Sequence, residues 1–338
     1  MSKILVTGGA GFIGSHLIKK LVQDGHDVIS VDNYVTGKKS NEVEGCKYYT
    51  ADIRENFWDL STSDMCEVTC DCKIEDVDLI FHLAYPYGVD GMGLNQAYVD
   101  TGAVGTYNVL KYAVMTGVKK VVNVSSVSAY GKISSDKVSE DMSGEHYIHY
   151  GVTKKVSEDY CKMFKDTYGL DTVNLRLFYA YGERYTTLDH SALVNFLDRA
   201  RKGKDLLIYG DGSQLRDYTY VSDIVDGIIN SVNGKGGGEI YNLSGGGTCD
   251  ILNLAQTVID VTGANIKWKF APQSDYRYSD EWVKIPLGLT KKDKDGNWYD
   301  ERNYVADISK AKKDFGYNPS VSLEQGIRKT WEWLNKWK

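Results

Sequence analysis

The sequence is short of proline, with 4 in 338 residues, and it has no excess of positive charge: 46 acidic side chains stand against 40 basic ones, for a net charge of −6. The scarcity of proline and the 42% hydrophobic content exclude a fibrous or low-complexity chain and fit a globular one. An acidic balance excludes a general nucleic-acid binder, because neutralising phosphates needs clustered Lys and Arg. No run approaches the ~20 apolar residues that span a bilayer. Met1 to Val6 leads straight into a strand rather than a signal peptide, so a cytoplasmic protein without a membrane partner is expected. Six Cys are too few for a disulfide scaffold and suit free thiols. Cys66, Cys70 and Cys72 crowd together as C-x3-C-x-C, but structural zinc wants four ligands and no fourth is at hand, so no metal is expected.

What is present begins with length. A chain of 338 residues exceeds what one core usually holds, which favours one compact protein of two lobes. β-branched runs at 3–7, 27–31, 78–83, 120–125 and 172–177 alternate with helical patterns at 12–24, 96–116 and 150–167. That alternation predicts an α/β fold with a doubly wound parallel sheet, a Rossmann domain, over 1–177 and about 215–245. The segments 178–214 and 246–338, with Gly-rich turns and a polar stretch at 288–303 that reads as a loop, predict a smaller α/β substrate lobe. In the helix at 150–167, Val152, Val156, Tyr160 and Met163 recur at helical spacing, so that face is expected to be buried, with Tyr150, Lys154 and Ser157 on another. A last helix over 323–337 carries Trp331, Trp333 and Trp337 for packing.

Directly after the first strand come Gly8, Gly11 and Gly14, at the spacing G-x-x-G-x-x-G, opening an amphipathic helix. In that context glycines permit a tight turn, close approach of backbone to a pyrophosphate, and tight helix packing, with the helix N-terminus meeting the phosphate charge. Asp32 ends the second strand, where a carboxylate takes the adenosine ribose hydroxyls and repels a 2′-phosphate. NAD rather than NADP is therefore the expected cofactor. Asp52 and Ile53, after the next apolar run, read as an adenine contact or as surface.

Tyr150 and Lys154 stand one helical turn apart and project from the same face. A phenol is a poor base near neutral pH, but a neighbouring ammonium favours its ionised form.

These residues resemble the extended short-chain dehydrogenase/reductase family, in its sugar-nucleotide epimerase and dehydratase branch. TGGAGFIGS at 7–15, DNYVTG at 32–37, FHLA at 81–84, VSSVSAYG at 124–131, YGVTK at 150–154, IYGDGSQLRDYTYVSD at 208–223 and ADISKAKKDFGYNP at 306–319 carry the likeness over nearly the whole chain. The resemblance implies that Tyr150 is the base, that Lys154 also holds the nicotinamide ribose, and that Ser126, four residues before Tyr130, bonds the reacting sugar hydroxyl. It adds Phe12, Ile13, Asn33, Leu83 and Ala84 to the cofactor site. It gives Arg216 the role of gripping a nucleotide diphosphate bidentately, with an ion pair as the alternative, and brings Asn195, beside Phe196, to the nucleotide. Ser125 then supports the strand end.

Departures narrow the reaction. Sugar dehydratases of the branch carry an Asp-Glu pair where Val127 and Ser128 stand, and glucuronate decarboxylases carry a Glu at the second position. Neither residue here can serve as a carboxylate. Ser128 is open between a strand-end hydroxyl and a substrate contact. Asp90-Gly-Met-Gly-Leu-Asn95 resembles a segment of GDP-mannose 3,5-epimerases, which pair it with a Cys where Ser128 stands. His190 reads as an acid or base near the sugar, or as a surface residue. Tyr179 replaces a substrate-contacting Asn, Gly102 replaces the Asn of an N-V-x-G-T stretch, and an expected second phosphate Arg is missing near Asn297–Asp300, leaving Arg277 or Arg302 to substitute. The expectation is an NAD-dependent sugar-nucleotide 4-epimerase that binds a nucleotide-diphosphate sugar and forms a homodimer. A 3,5-epimerase or 4-keto reductase is the alternative, with a decarboxylase or 4,6-dehydratase less favoured and an NAD-sensing scaffold as the reading without catalysis.

Overall fold

The computed structural model describes residues 1–59, 73–86, 96–133, 137–146, 148–185, 191–245, 247–271, 290–292, 298–300 and 303–336. Cys66, Cys70, Cys72, Asp90–Asn95, His190, Arg277, Arg302 and Trp337 lie outside them.

Strands β1 (Lys3–Thr7), β2 (Asp27–Asp32), β3 (Cys46–Thr50), β4 (Leu79–His82), β5 (Lys120–Ser126) and β6 (Asp171–Leu177) form most of one parallel sheet. After the short strands β7 (Ala180–Tyr181), β8 (Leu206–Ile208), β9 (Leu215–Asp217) and β10 (Thr219–Tyr220), the chain returns to it with β11 (Glu239–Leu243). The order across the seven strands is β11-β6-β5-β4-β1-β2-β3. Side chains alternate between the two faces of such a sheet. Ile4, Val6, Phe81, Val122 and Val173 accordingly join one apolar core, and Leu5, Ile29, Ile80 and Val121 the other. Burial on both faces explains why these strands read as continuous apolar runs rather than alternating ones.

Beyond the sheet, β12 (Thr248–Asp250) pairs with β9, and β13 (Trp268–Phe270) with β8. Within the polar stretch expected as a loop, β14 (Thr290–Lys292) pairs antiparallel with β15 (Trp298–Asp300). Hairpin pairing satisfies backbone groups without an apolar face, which is why composition did not show it.

The helices are α1 (Phe12–Gln23), α2 (Gln96–Val99), α3 (Thr106–Thr116), α4 (His149–Tyr168), α5 (Ala192–Arg201), α6 (Val221–Asn230), α7 (Ile251–Thr262), α8 (Ser309–Phe315) and α9 (Leu323–Lys336). A π-helical segment, Asp100–Gly105, joins α2 to α3. Trp331 and Trp333 of α9 pack against the larger core as expected. Among the described residues no helix is long and apolar enough to cross a membrane.

Helix α4 corrects an expectation. Its buried residues are Gly151, Thr153, Lys154, Ser157, Glu158, Cys161 and Phe164, whereas Val152 and Met163 are exposed. The polar face turns inward because its groups find partners there. Glu158 accepts two bonds from Arg176 of β6, at 2.8 and 2.7 Å, and one from the Ser125 hydroxyl at 2.6 Å. Ser157 meets Asn123. A paired buried charge is tolerated where an isolated one is not.

Candidate active site

The strand order reverses between β1 and β4, and in doubly wound sheets ligands bind at the carboxyl ends of strands beside such a point. Gly8 leaves β1 there with φ +77, a left-handed conformation that glycine adopts at no steric cost. A Cβ on Gly8 would stand 2.7 Å from the Ala84 nitrogen beyond β4, and one on Gly14 would stand 2.2 Å from the Gly8 carbonyl oxygen. Leu83 donates to the Thr7 carbonyl at 3.0 Å, fixing that approach. Phe12 and Ile13 open α1, whose cap at Gly11 makes no side-chain hydrogen bond and whose first turn carries no acidic residue. Such a helix end favours an anion. Phe12 meets Tyr185 edge-on at 5.0 Å.

Asp32 is buried at the end of β2 and accepts from the backbone of Ala10 at 2.9 Å and Tyr34 at 2.8 Å. Burial holds its carboxyl above the usual range, against the pull of those two bonds. Its environment fits a carboxylate that shares hydroxyl protons of a ribose. Asn33 donates to Asp52 at 3.0 Å, and Asp52 also binds Arg54 through both carboxylate oxygens. Ile53 is a core residue beneath Gly105, with its carbonyl taken by Asn108. Its side chain therefore belongs to packing. The glycine cradle, the uncapped helix end and Asp32 together fit NAD.

At the end of β5, Ser126 accepts from the Ser128 backbone at 3.2 Å, and its hydroxyl hydrogen-bonds the half-buried Tyr150 phenol. Ser128 lies in a single helical turn, Val127–Tyr130, whose carbonyl at 128 faces Gly151; a Cβ there would stand 2.5 Å away. That close approach sets the start of α4 against the strand end. Burial pushes Tyr150 up to about 12, opposed by the Ser126 bond. Lys154 is 7% exposed and is pulled down to about 7 by burial, opposed by the negative charge of Glu158. Its Nζ donates to the Val124 carbonyl at 2.7 Å and lies 4.4 Å from the centre of the Tyr85 ring. Tyr150 and Lys154 both approach the Tyr85 ring, and desolvation is the largest cause of the shift of each.

Nearby, His82 is buried between Thr7 (2.7 Å) and Thr106 (3.0 Å) and is pulled down to about 3 by burial, then by the Lys154 charge. It is a neutral cross-tie from β1 to α3. The residue that sequence reasoning missed is Tyr85, directly after FHLA, which touches both Tyr150 and Lys154. Its signal was position alone.

On the other side Arg216 is buried on β9, donates to the Leu215 carbonyl, and lies 5.3 Å from the centre of the Tyr179 ring. Tyr179 has φ +28, unusual for a residue with a side chain. Asn195 is half-buried on α5, while Phe196 is core.

Residues 4–244 match the model of the NAD dependent epimerase/dehydratase family. A putative UDP-glucose 4-epimerase of Methanocaldococcus jannaschii is 31% identical over 98% of both chains. A UDP-N-acetyl-alpha-D-glucosaminuronate decarboxylase of Bacillus cytotoxicus is 32% identical over 99% of this chain and 98% of its own. Among solved structures, UDP-glucose 4-epimerase of Thermotoga maritima with UDP-glucose gives a TM-score of 0.82 at 29% identity, covering 99% of each chain. UDP-glucuronic acid 4-epimerase of Bacillus cereus with UDP-glucuronic acid and NAD gives 0.79 at 27%, covering 99% of this chain and 100% of the other. With its glycine cradle, its Ser126–Tyr150–Lys154 grouping and these likenesses, the chain belongs to the NAD-dependent epimerase/dehydratase family of enzymes acting on sugar nucleotides.

Proposed function

We propose that the enzyme is a UDP-sugar 4-epimerase. The observation that carries this reading is a Tyr150 phenol bonded to the Ser126 hydroxyl, a Lys154 ammonium over the Tyr85 ring that Tyr150 also meets, and no carboxylate at Val127 or Ser128. UDP is taken from the relatives, among them UDP-glucose and UDP-glucuronic acid 4-epimerases.

In this scheme Tyr150 removes the proton from the sugar 4-hydroxyl while Ser126 bonds the same oxygen. Bound NAD would supply a reversible hydride acceptor for carbon 4 and, while oxidised, a positive charge, held by the glycine cradle, Asp32 and Lys154. Lys154 holds a ribose hydroxyl and favours the ionised phenol through its own charge. After the 4-keto sugar turns over, Tyr150 returns its proton to the oxygen, so the protein and its cofactor end as they began. Arg216 grips the diphosphate, with Asn195 at the nucleotide and Tyr179 lining the sugar side. The dinucleotide domain is assigned to 1–177 and about 215–245, and the substrate lobe to the remainder.

We assign the homodimer to the faces of α3 and α4. Tyr107, Val152 and Met163 are exposed there, with Val104 of the preceding π-helical segment beside α3, an apolar surface of the kind that pairs with another copy. Light scattering should give twice the chain mass, and Val152→Asp combined with Met163→Asp should halve it; a monomeric wild type contradicts the assignment.

The catalytic reading is tested with Tyr150→Phe purified with bound NAD. Removal of a general base costs on the order of 10²–10⁴-fold in rate, so turnover of UDP-glucose or UDP-glucuronic acid should fall by about 10³-fold. Turnover within a fewfold of wild type would exclude Tyr150 as the base.

A further inference from the structure

Tyr85 occupies a place between the cofactor cradle and the reacting groups, one residue past the Ala84 nitrogen that Gly8 approaches. One edge of its ring contact is with Tyr150, at 5.1 Å between centroids and 68° between planes. The Lys154 Nζ lies 4.4 Å from its centroid. Tyr98 of α2 stacks against it at 5.6 Å and 21°. Its hydroxyl is 2.6 Å from the Thr153 Oγ1, and Thr153 donates in turn to the Tyr150 carbonyl at 3.1 Å, which leaves the Tyr85 hydroxyl as the donor of the pair. The ring is thus fixed at its tip to α4 at Thr153, between the two reacting groups Tyr150 and Lys154.

Room for this arrangement comes from Gly102 in the π-helical segment. A Cβ there would stand 2.7 Å from the Thr153 Cβ and 3.1 Å from the Tyr85 Cε2. A side chain at 102, such as the Asn found in the resembling stretch, competes for the space the Tyr85–Thr153 pair fills. The glycine and the tyrosine therefore belong to one device.

The charges around Lys154 show what the ring adds. Glu158, one turn along α4, favours the ammonium but is already committed to Arg176 and Ser125. His82 of β4 is neutral, and its interaction with Lys154 is unfavourable when protonated. Tyr98 of α2 and Ser126 of β5 face Tyr150. Lys154 is nearly closed to water, so a ring face offers electrostatic support that solvent does not, and a desolvated cation gains most from it.

Resting on the proposed epimerase reading, we propose that Tyr85 is a positioning residue: its ring face seats the Lys154 ammonium and its edge holds the Tyr150 ring, keeping the cation charged beside the phenol. Losing the ring's electrostatic contribution then discharges Lys154 at lower pH and ionises Tyr150 at higher pH. Because Lys154 titrates below Tyr150, the two limbs of the kcat/KM profile move apart while its height falls.

The test is a series at position 85 in the full-length protein with NAD bound: Tyr85→Phe, then replacement by 4-fluoro- and 3,4,5-trifluorophenylalanine, then Tyr85→Leu. Fluorination drains the ring face while hardly changing its shape, so folding is preserved along the aromatic series. Tyr85→Phe keeps the ring face but loses the tip bond to Thr153, so its profile should shift less than that of Tyr85→Leu. Trifluorination and Tyr85→Leu should widen and lower the kcat/KM profile progressively, with kcat/KM at the optimum falling by roughly tenfold at the end of the series. An unchanged profile width across the fluorinated series overturns the proposal, as does an equal loss in Tyr85→Phe and Tyr85→Leu. Tyr150→Phe run alongside separates the two levels: if it retains turnover, the epimerase site reading falls and this inference with it, whereas an inactive Tyr150→Phe with an unmoved profile removes only the role of Tyr85.

Discussion

Among the cations that rest near tyrosine rings, two belong to the candidate site, Lys154 4.4 Å from Tyr85 and Arg216 5.3 Å from Tyr179. The first pair is built on a helix of 20 residues and the residues just past a central strand. The second is built on strands of two and three residues, beside a tyrosine at φ +28. On the proposed reading, reaction chemistry is thereby fixed to the most regular part of the fold, and the strained backbone is placed where the sugar and its diphosphate are to be chosen. Strain of this kind persists only where the surroundings over-determine it. Across relatives that act on different UDP-sugars, a constant first pair and a variable second one would be the economical solution.

The largest effect that would break this contrast lies under the first pair. Glu158→Gln leaves Arg176 buried without its counter-charge, which costs about 3–5 kcal/mol; chemical denaturation should show that loss, and a change below ~1 kcal/mol would remove the ion pair as the foundation of α4.

Next comes pH. Lys154 has a folded value of about 7 and an unfolded one near ~10.4. Between those values the unfolded chain binds the extra proton, so stability rises with pH across that window, and the full cost of the buried charge is felt below it. Denaturation of the cofactor-free protein at several pH values should show a wild-type slope that exceeds that of Lys154→Met by up to ~1.4 kcal/mol per pH unit. Parallel slopes would mean that the lysine is solvated.

The second pair should respond in binding rather than in stability or chemistry. Arg216→Ala removes charge-assisted bonds worth about 1.5–3 kcal/mol, so calorimetry should find UDP-sugar affinity weakened by roughly 10–100-fold with kcat nearly kept. A loss confined to kcat would move Arg216 from the diphosphate to the reacting centre.

Much of the first region was legible in the sequence because backbone requirements leave few residue choices. Gly8 and Gly14 have no room for a Cβ, and Asp32 sits at a strand end set by apolar runs on both sides. Residues Tyr150 and Lys154 were legible as a pair by helical spacing. What spacing did not give was the direction that α4 faces. Its apolar stripe looked like the core side, yet the inward face is polar because Glu158, Arg176, Ser125 and Asn123 satisfy one another across β5 and β6. Such satisfaction depends on partners far along the chain. Tyr85 was invisible for the same reason, since its neighbours Tyr98, Gly102 and Thr153 come together only in the fold.

The central claim is that hydride leaves and returns to the same sugar carbon, without loss of any other bond. Incubating the NAD-bound enzyme with UDP-glucose or UDP-glucuronic acid deuterated at carbon 4, and following the sugar by NMR, tests it directly. The account predicts the 4-epimer with deuterium retained at carbon 4 and no carbon dioxide released; a product that has lost the label to solvent, or lost carbon 6 as carbon dioxide, would contradict it.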